Sequence, residues 1–215
     1  METGELPPGY REYDYLQRTG HNSRIDTGVD GTDAYLSFDF TYMPLSNSAY
    51  GAIFGNYTDE STKCWRIIHV ASTSSVYDRA FYVTARNSRA GASGQLVTIT
   101  GSSFYDKKIH FSVKIGEASS ECEGYSNTAT IAGTGAEAPS TKTIAIGSNN
   151  PTGGGSTGMT GRFYGHFKIW SNGTLIRDYV PAVRLRDSKA GFYDLVNHSF
   201  CPSIGTAEFV AGNDA

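Results

Sequence analysis

The sequence predicts an all-β protein, a two-sheet antiparallel β-sandwich. Three observations predict it. Apolar and polar residues alternate with period two in segment after segment, as they do in strands with one buried and one wet face. Clusters of Gly, Asn, Ser and Pro separate those segments at short intervals. No segment longer than a turn or two places apolar residues at helical spacing, and no internal repeat is visible.

The elements follow in order. Leu36-Ser37-Phe38-Asp39-Phe40-Thr41-Tyr42 sends its apolar residues to one face and Ser37, Asp39 and Thr41 to the other. Phe81-Tyr82-Val83-Thr84 and Thr143-Ile144-Ala145-Ile146 are shorter cases, and Ile109-His110-Phe111-Ser112-Val113-Lys114-Ile115 alternates most cleanly. In the segment from Arg162, residues Phe163, Gly165, Phe167 and Ile169 are expected inward, with Arg162, Tyr164, His166, Lys168 and Trp170 outward. Turn signals stand at Gly28 to Gly31, Ala90 to Gly94, Gly133 to Ser140 and Asn149 to Gly161. The last holds Gly153-Gly154-Gly155-Ser156-Thr157-Gly158, which reads as a surface loop; it lacks the Lys and the following helix of a phosphate-cradling loop. Asn172-Gly173, between two alternating runs, is the strongest hairpin signal in the chain.

Composition narrows the function classes. The 215 residues suffice for one sizeable all-β domain with a real core. Hydrophobic residues at 39% and charged residues at 18% describe a globular chain rather than a disordered one. A net charge of −3 argues against nucleic acid, whose phosphates need a positive surface. Arg184, Arg186 and Lys189 make only a short basic patch, read as solvated loop. No apolar run approaches the roughly 20 residues of a membrane span, so no membrane partner is expected. Met1-Glu2-Thr3-Gly4-Glu5 has no signal-peptide pattern, which suits a virion protein or an excised domain. Cys64, Cys122 and Cys201 show neither a CxxC pair nor a zinc-like spacing with histidine; reduced thiols acting as small hydrophobes are the favoured reading, with one bridge as the alternative.

Two ends of the chain carry a family pattern. Leu6-Pro7-Pro8-Gly9-Tyr10-Arg11-Glu12-Tyr13-Asp14-Tyr15-Leu16 runs on to Ile25-Asp26-Thr27-Gly28. Gly165-His166-Phe167-Lys168-Ile169-Trp170-Ser171-Asn172-Gly173-Thr174-Leu175-Ile176-Arg177-Asp178-Tyr179-Val180-Pro181 is followed by Gly191-Phe192-Tyr193-Asp194-Leu195-Val196-Asn197. Together they resemble the concanavalin A-like lectin/glucanase superfamily, in the laminin-G-like branch found in bacterial surface and phage tail proteins. The resemblance implies a jelly roll, a fold that mostly holds glycans and sometimes cuts them. The pattern spans 6–212, which sets the expected single domain, with 1–5 as a disordered lead and 213–215 as a tail. Much of the C-terminal match reads as architectural: Arg177 and Asp178 pairing across strands, Pro181 ending a strand, Tyr193-Asp194 anchoring the last hairpin.

No catalytic residue is expected. Glycoside cleavage needs two carboxylates about 5 to 10 Å apart, and the Glu-x-Asp-x-x-Glu-like run usual in the superfamily's glucanases is absent. Glu121 with Glu123, and the isolated Asp39, are the nearest substitutes. No Gly-x-Ser-x-Gly elbow supports a serine nucleophile, and His21, His69, His110, His166 and His198 are scattered. No metal or cofactor is expected. Calcium held by loop oxygens is the alternative, with Asp26, Asp30, Asp33, Asp59, Asp78, Asn127, Asn149 and Asn150 as its candidates. Sequons at Asn56, Asn172 and Asn197 matter only on a eukaryotic secretory route.

Glycan binding leaves a different trace, an aromatic platform fringed by polar groups. With 14 Tyr, 11 Phe and two Trp, the chain has aromatics beyond those its core faces absorb. Trp65 and His69 share a face of Trp65-Arg66-Ile67-Ile68-His69-Val70 if Ile68 and Val70 point inward, and Tyr82 faces outward by the same logic. With Tyr164, His166 and Trp170 they form the candidate ligand-binding set. The expected function is a non-catalytic, lectin-like module for cell-surface or dietary polysaccharide, virion-associated or extracellular. A homo-oligomeric structural domain and an atypical glycoside hydrolase are the alternatives.

Overall fold

The structure is a computed structural model describing residues 6–20, 23–45, 50–58, 64–70, 80–85, 96–97, 105–123, 125–130, 140–148 and 160–214. The loop expectations at 90–94, 133–139 and 149–159, and the calcium candidates Asp59, Asp78, Asn149 and Asn150, lie outside these.

The described residues form strands throughout, with no helix. In chain order they are β1 (Tyr10–Glu12), β2 (Tyr15–Arg18), β3 (Ile25–Asp30), β4 (Leu36–Pro44), β5 (Tyr50–Gly55) and β6 (Trp65–Val70). Then come β7 (Ala80–Ala85), β8 (Leu96–Val97), β9 (Ile109–Lys114), β10 (Glu117–Cys122), β11 (Tyr125–Thr130) and β12 (Thr143–Ile146). The last are β13 (Gly161–Ser171), β14 (Thr174–Arg184), β15 (Lys189–Asp194), β16 (Ser199–Pro202) and β17 (Phe209–Gly212). They build two antiparallel sheets, as expected. The large one runs β11-β10-β9-β4-β13-β14-β15-β16, with β1 on β14 and the β2–β17 pair on β13; the small one runs β3-β12-β5-β6-β7-β8.

The two sheets press their apolar faces together because alternation leaves each with one unsolvated side. From β4 come Leu36, Phe38, Phe40 and Tyr42, and from β9 Ile109, Phe111 and Val113, all buried in the core cluster. Phe40 lies at its centre, stacked on Phe167 at 4.6 Å and on Phe111 at 5.3 Å, and edge-on to Phe54 at 5.5 Å. From the small sheet Ile53, Phe54, Trp65, Ile67, Phe81 and Val83 meet them.

Alternation fails at one instructive point. Register between β13 and β4 shifts between Tyr164 and Lys168, so Gly165 and His166 are both exposed. Gly165 was expected inward; between Tyr164 and Lys168 β13 advances four residues while β4 advances two, and because two extra residues keep the phase, Phe163 and Phe167 both still reach the core. Asn172-Gly173 makes the expected two-residue hairpin, both residues at positive φ (49° and 78°), and Ser171 pairs with Thr174 across it. Arg177 and Asp178 do pair across strands: Arg177 Nε with Asp194 Oδ2 at 3.4 Å, and Asp178 Oδ1 with His166 Nδ1 at 2.6 Å. Cys64 is buried, Cys122 and Cys201 pack against the core, and none of the three forms a disulfide. The Asn56 amide is structural: its Nδ2 donates to the Lys142 carbonyl and its Oδ1 accepts the Trp65 N–H.

Candidate functional site

The large sheet turns its other face to solvent. Register places Thr41, Tyr164 and His110 in one row across β4, β13 and β9, then Asp39, Lys168 and Ser112, then Ser37, Trp170 and Lys114. Tyr164 and Trp170 are six residues apart, so the face spans about 20 Å along β13 at ~3.3 Å per residue. A recess lies near each end.

At the Tyr164 end is a polar cleft of about 390 Å³ lined by Tyr13, Asp14, Lys108, Tyr164, His166 and Asp214 among others. Strand β17 pairs with β2 and delivers the chain end here. Asp14 N–H donates to Asn213 Oδ1 at 3.2 Å, and Asp214 N–H donates to Asp14 Oδ2 at 2.8 Å. Lys108 Nζ lies 2.6 Å from Asp214 Oδ2, and the Tyr164 hydroxyl donates to Asp214 Oδ1 at 3.1 Å. Asn213 and Asp214, expected as tail, are thus held across the sheet face. The hydrogen bond between Lys108 and Asp214 raises the first group's pKa and lowers the second's; burial, first of all, raises that of the Tyr164 hydroxyl.

This clamp has a pH window. The depressed Asp214 carboxyl adds its contribution above the ordinary Asp range and loses it as pH falls through its lowered value; the raised Lys108 ammonium adds its own below the ordinary Lys range and loses it as pH rises through its raised value. Both groups are substantially exposed, so solvent screening keeps the contribution small and the readout should be local. The Tyr164 ring signals in an NMR titration are expected to move in step with Asp214 protonation, and to lose that inflection in Asp214→Asn. Signals that stay still through the acid range would show that the clamp does not form in solution.

At the other end of β13 a more apolar rim pocket of about 360 Å³ is lined by Tyr35, Ser37, Lys114, Ile115, Asn172 and Gly173 among others. Tyr35 is 70% exposed and Ile115 41%, the two large apolar side chains that the rim shows to solvent. The loop carrying Tyr35 is fixed by Asp33, whose Oδ1 accepts the Tyr35 N–H at 2.8 Å while Oδ2 accepts the Ser171 hydroxyl at 2.5 Å. The Trp65 indole N–H donates to the Asp33 carbonyl at 3.2 Å, and Asn172 N–H donates to the Tyr35 carbonyl at 3.1 Å. An aromatic ring stands free on a backbone tied down at both ends. Lys114 and the Asn172 amide supply a polar fringe to an apolar floor.

The structure divides the sequence candidates. Trp65 is fully buried and belongs to the core, a correction: Ile67, not Ile68, shares its inward face, because the phase of β6 is the opposite of the one assumed. Its contribution to a site is indirect, through Asp33. Tyr164 stays on the wet face but is only 6% exposed, with the Lys108 ammonium 4.2 Å over its ring, so it is not a free platform. His166 is exposed in the cleft and bound to Asp178; Trp170 is half-buried on the wet face beside the rim pocket. The side chains of His69 and Tyr82 lie outside the described residues. Sequence reasoning missed Tyr35 because it sits in a loop, where strand alternation says nothing; the signal available was the Asp33-Ala34-Tyr35 spacing of an Asx turn.

Other acidic candidates have local duties. Asp26, Asp30 and Asp33 each accept a backbone N–H two residues ahead. Glu121 ends β10 next to its last residue, facing His110 in register, while Glu123 lies past the strand in a turn, so the two do not share a strand face. Asp39 Oδ2 lies 3.1 Å from His110 Nε2.

A candidate carbohydrate-binding protein from Bacteroides ovatus superposes with a TM-score of 0.58 at 12% identity, covering 95% of this chain and 61% of its own. The shared fold is a two-sheet antiparallel β-sandwich, a jelly roll. This chain spans less than two thirds of that protein's length. Looser superpositions, both at a TM-score of 0.44, are with domains LG4-5 of the mouse laminin alpha1 chain and the tailspike protein 2 of bacteriophage CBA120. The laminin match has 12% identity and covers 81% of this chain and 47% of the other; the tailspike match has 11% identity and covers 79% and 29%. A model of the IPT/TIG domain matches residues 83–163, a stretch that opens inside β7 of one sheet and closes inside β13 of the other. No curated protein sequence matches the chain. Among the described residues no helix is long and apolar enough to cross a membrane.

Proposed function

We propose that this chain is a non-catalytic carbohydrate-binding module of the laminin-G-like kind, holding a cell-surface or dietary polysaccharide for a bacterial surface protein or a phage tail fibre. The observation that carries the reading is Tyr35, 70% exposed and anchored through Asp33 and Asn172 over a rim pocket with a polar fringe. A sugar ring offers an apolar C–H face and a rim of hydroxyls, and an ordered aromatic beside Lys and Asn side chains complements both at little entropic cost. The B. ovatus protein of the same fold makes carbohydrate the first ligand class to test. Binding without cleavage belongs to the proposal. Glu121 and Glu123 are split between a strand and a turn, and Asp39 is tied to His110.

The test is a polysaccharide array, with calcium and then with EDTA, on the native chain and on Tyr35→Ala and His166→Ala. Tyr35→Ala removes an exposed ring, so the fold should stand while binding weakens about tenfold or more, the size of one lost aromatic contact and its buried area. A loss confined to His166→Ala would move the site to the cleft, and loss with EDTA would add a metal. Binding indifferent to both variants would sink the assignment.

Exposed apolar side chains also favour a second reading, assembly with further copies: Tyr35, Ile115, Leu185 and Val210 all stand open to solvent. A blank array together with a stable oligomer by mass measurement would support it. Because Trp65 is already buried in one chain, quenching of tryptophan fluorescence would report on Trp170 alone.

A further inference from the structure

We propose that the interior of the sandwich holds one small monovalent anion, a halide or an ion of similar size, against the guanidinium of Arg18. Arg18 ends β2, where alternation turns Leu16 and Arg18 inward while Tyr15 and Gln17 face out. It pairs in register with Gly161 of β13 on one side and Phe209 of β17 on the other. The residue is 1% exposed, and Nε, Nη1 and Nη2 all lack a hydrogen-bond partner among the described residues. Other arginines of the same sheet are provided for: Arg177 meets Asp194, Arg184 meets Asp187, and Arg162 stacks on Tyr15 and reaches Asp214.

A buried charge left alone is among the most costly arrangements a fold can contain. Losing the proton does not remove it here, since burial lowers the Arg18 pKa only to about 10, far above neutrality. Nor do the adjoining acids remove it. Glu208, next to Phe209, is exposed and engaged with Lys189. Among the described residues that adjoin Arg18 along the chain and in register, Thr19, Gly20, Gly161 and Phe209, none is Asp or Glu. Water would satisfy the N–H groups but would not cancel the charge.

The surroundings favour an anion. Tyr42 Oη lies against Gly161, the residue opposite Arg18, where any side chain would collide with it. Tyr42 and Arg18 interact electrostatically, and burial keeps the phenol protonated. The guanidinium only donates and the phenol O–H can donate too, so a group that both can serve, and that cancels the charge, is an acceptor carrying one negative charge. The inference is independent of the carbohydrate reading.

The experiment titrates bromide against gluconate at constant ionic strength, following thermal unfolding, and collects anomalous diffraction from bromide-soaked crystals. Three chains are compared: the native one, Arg18→Lys, and Arg18→Met, which keeps the volume and removes the charge. For the native chain Tm is expected to rise with bromide, by about 5–10 °C at 100 times Kd for a protein of this size. An anomalous peak should lie within hydrogen-bonding distance of Arg18. Arg18→Lys should keep a weaker response, and Arg18→Met should lose both response and peak. A native chain that shows no peak, and whose response matches that of Arg18→Met, would overturn the proposal and leave the guanidinium to buried water. Should Arg18→Met not fold, the native peak and the Arg18→Lys titration decide alone.

Discussion

Asp194→Ala is expected to destabilise the fold by about 3–5 kcal/mol, the scale on which buried ion pairs fail when one partner is removed. The Asp194 side chain is 1% exposed, yet four donors converge on it: the backbone N–H groups of Asp178 at 3.2 Å and Val196 at 3.0 Å, Asn197 Nδ2 at 2.7 Å and Arg177 Nε at 3.4 Å. It ties β14 to β15 and closes the turn that follows β15. Truncation would leave the Asp178 and Val196 N–H groups without their acceptor and Arg177 without its carboxylate, while Asn197 Nδ2 would keep only the Ile176 carbonyl. For a chain of this length the loss corresponds to a fall in Tm of about 6–20 °C. Asp194→Asn, which keeps one acceptor oxygen and the shape, should lose less. Urea unfolding of both variants checks the argument, and a loss below about 1 kcal/mol for the alanine variant would show that the hub does not carry stability.

The second large effect is Phe40→Ala, expected to cost about 3–5 kcal/mol through lost burial and the cavity left behind. Phe40 is fully buried and touches rings from three other strands, Phe167, Phe111 and Phe54, so no single neighbour can collapse into the space. Phe40→Leu should recover much of the loss, since it restores most of the volume without the ring stacking. Denaturation with an unchanged m-value in both variants would show that stability alone had changed. Equal stability of the native and alanine chains would mean that the aromatic cluster is not packed in solution as described.

These two residues were legible to different degrees in the sequence. Phe40 stands in a strand whose period-two pattern assigns its face without help from the rest of the chain. Asp194 was marked only by its place in the family pattern, as an anchor of the last hairpin. That it gathers Arg177, Asn197 and two backbone amides depends on β14 and β15 being neighbours. The candidate site was less legible still. Tyr164, His166 and Trp170 were assigned to the wet face from alternation, and that is where they lie. But alternation reports direction, not covering: Lys108 and Asp214 come from elsewhere in the chain and roof Tyr164. Trp65 went wrong for a related reason, since a strand with apolar residues at both 67 and 68 has no unique phase.

The sequence by itself determined what short-range rules control. It set the all-β class, the inward faces of β4, β9 and most of β13, and the hairpin at Asn172-Gly173, because side-chain period and turn chemistry act over a few residues. Only the tertiary structure decided where β2 and β17 pair, and hence that Asp214 reaches Tyr164 and that Arg18 is enclosed with no acid as partner among the described residues. It alone set the loop of Tyr35 against Asn172, joining residues far apart in the chain. Such contacts depend on which strands become neighbours, and a periodic pattern is the same whichever neighbour a strand finds.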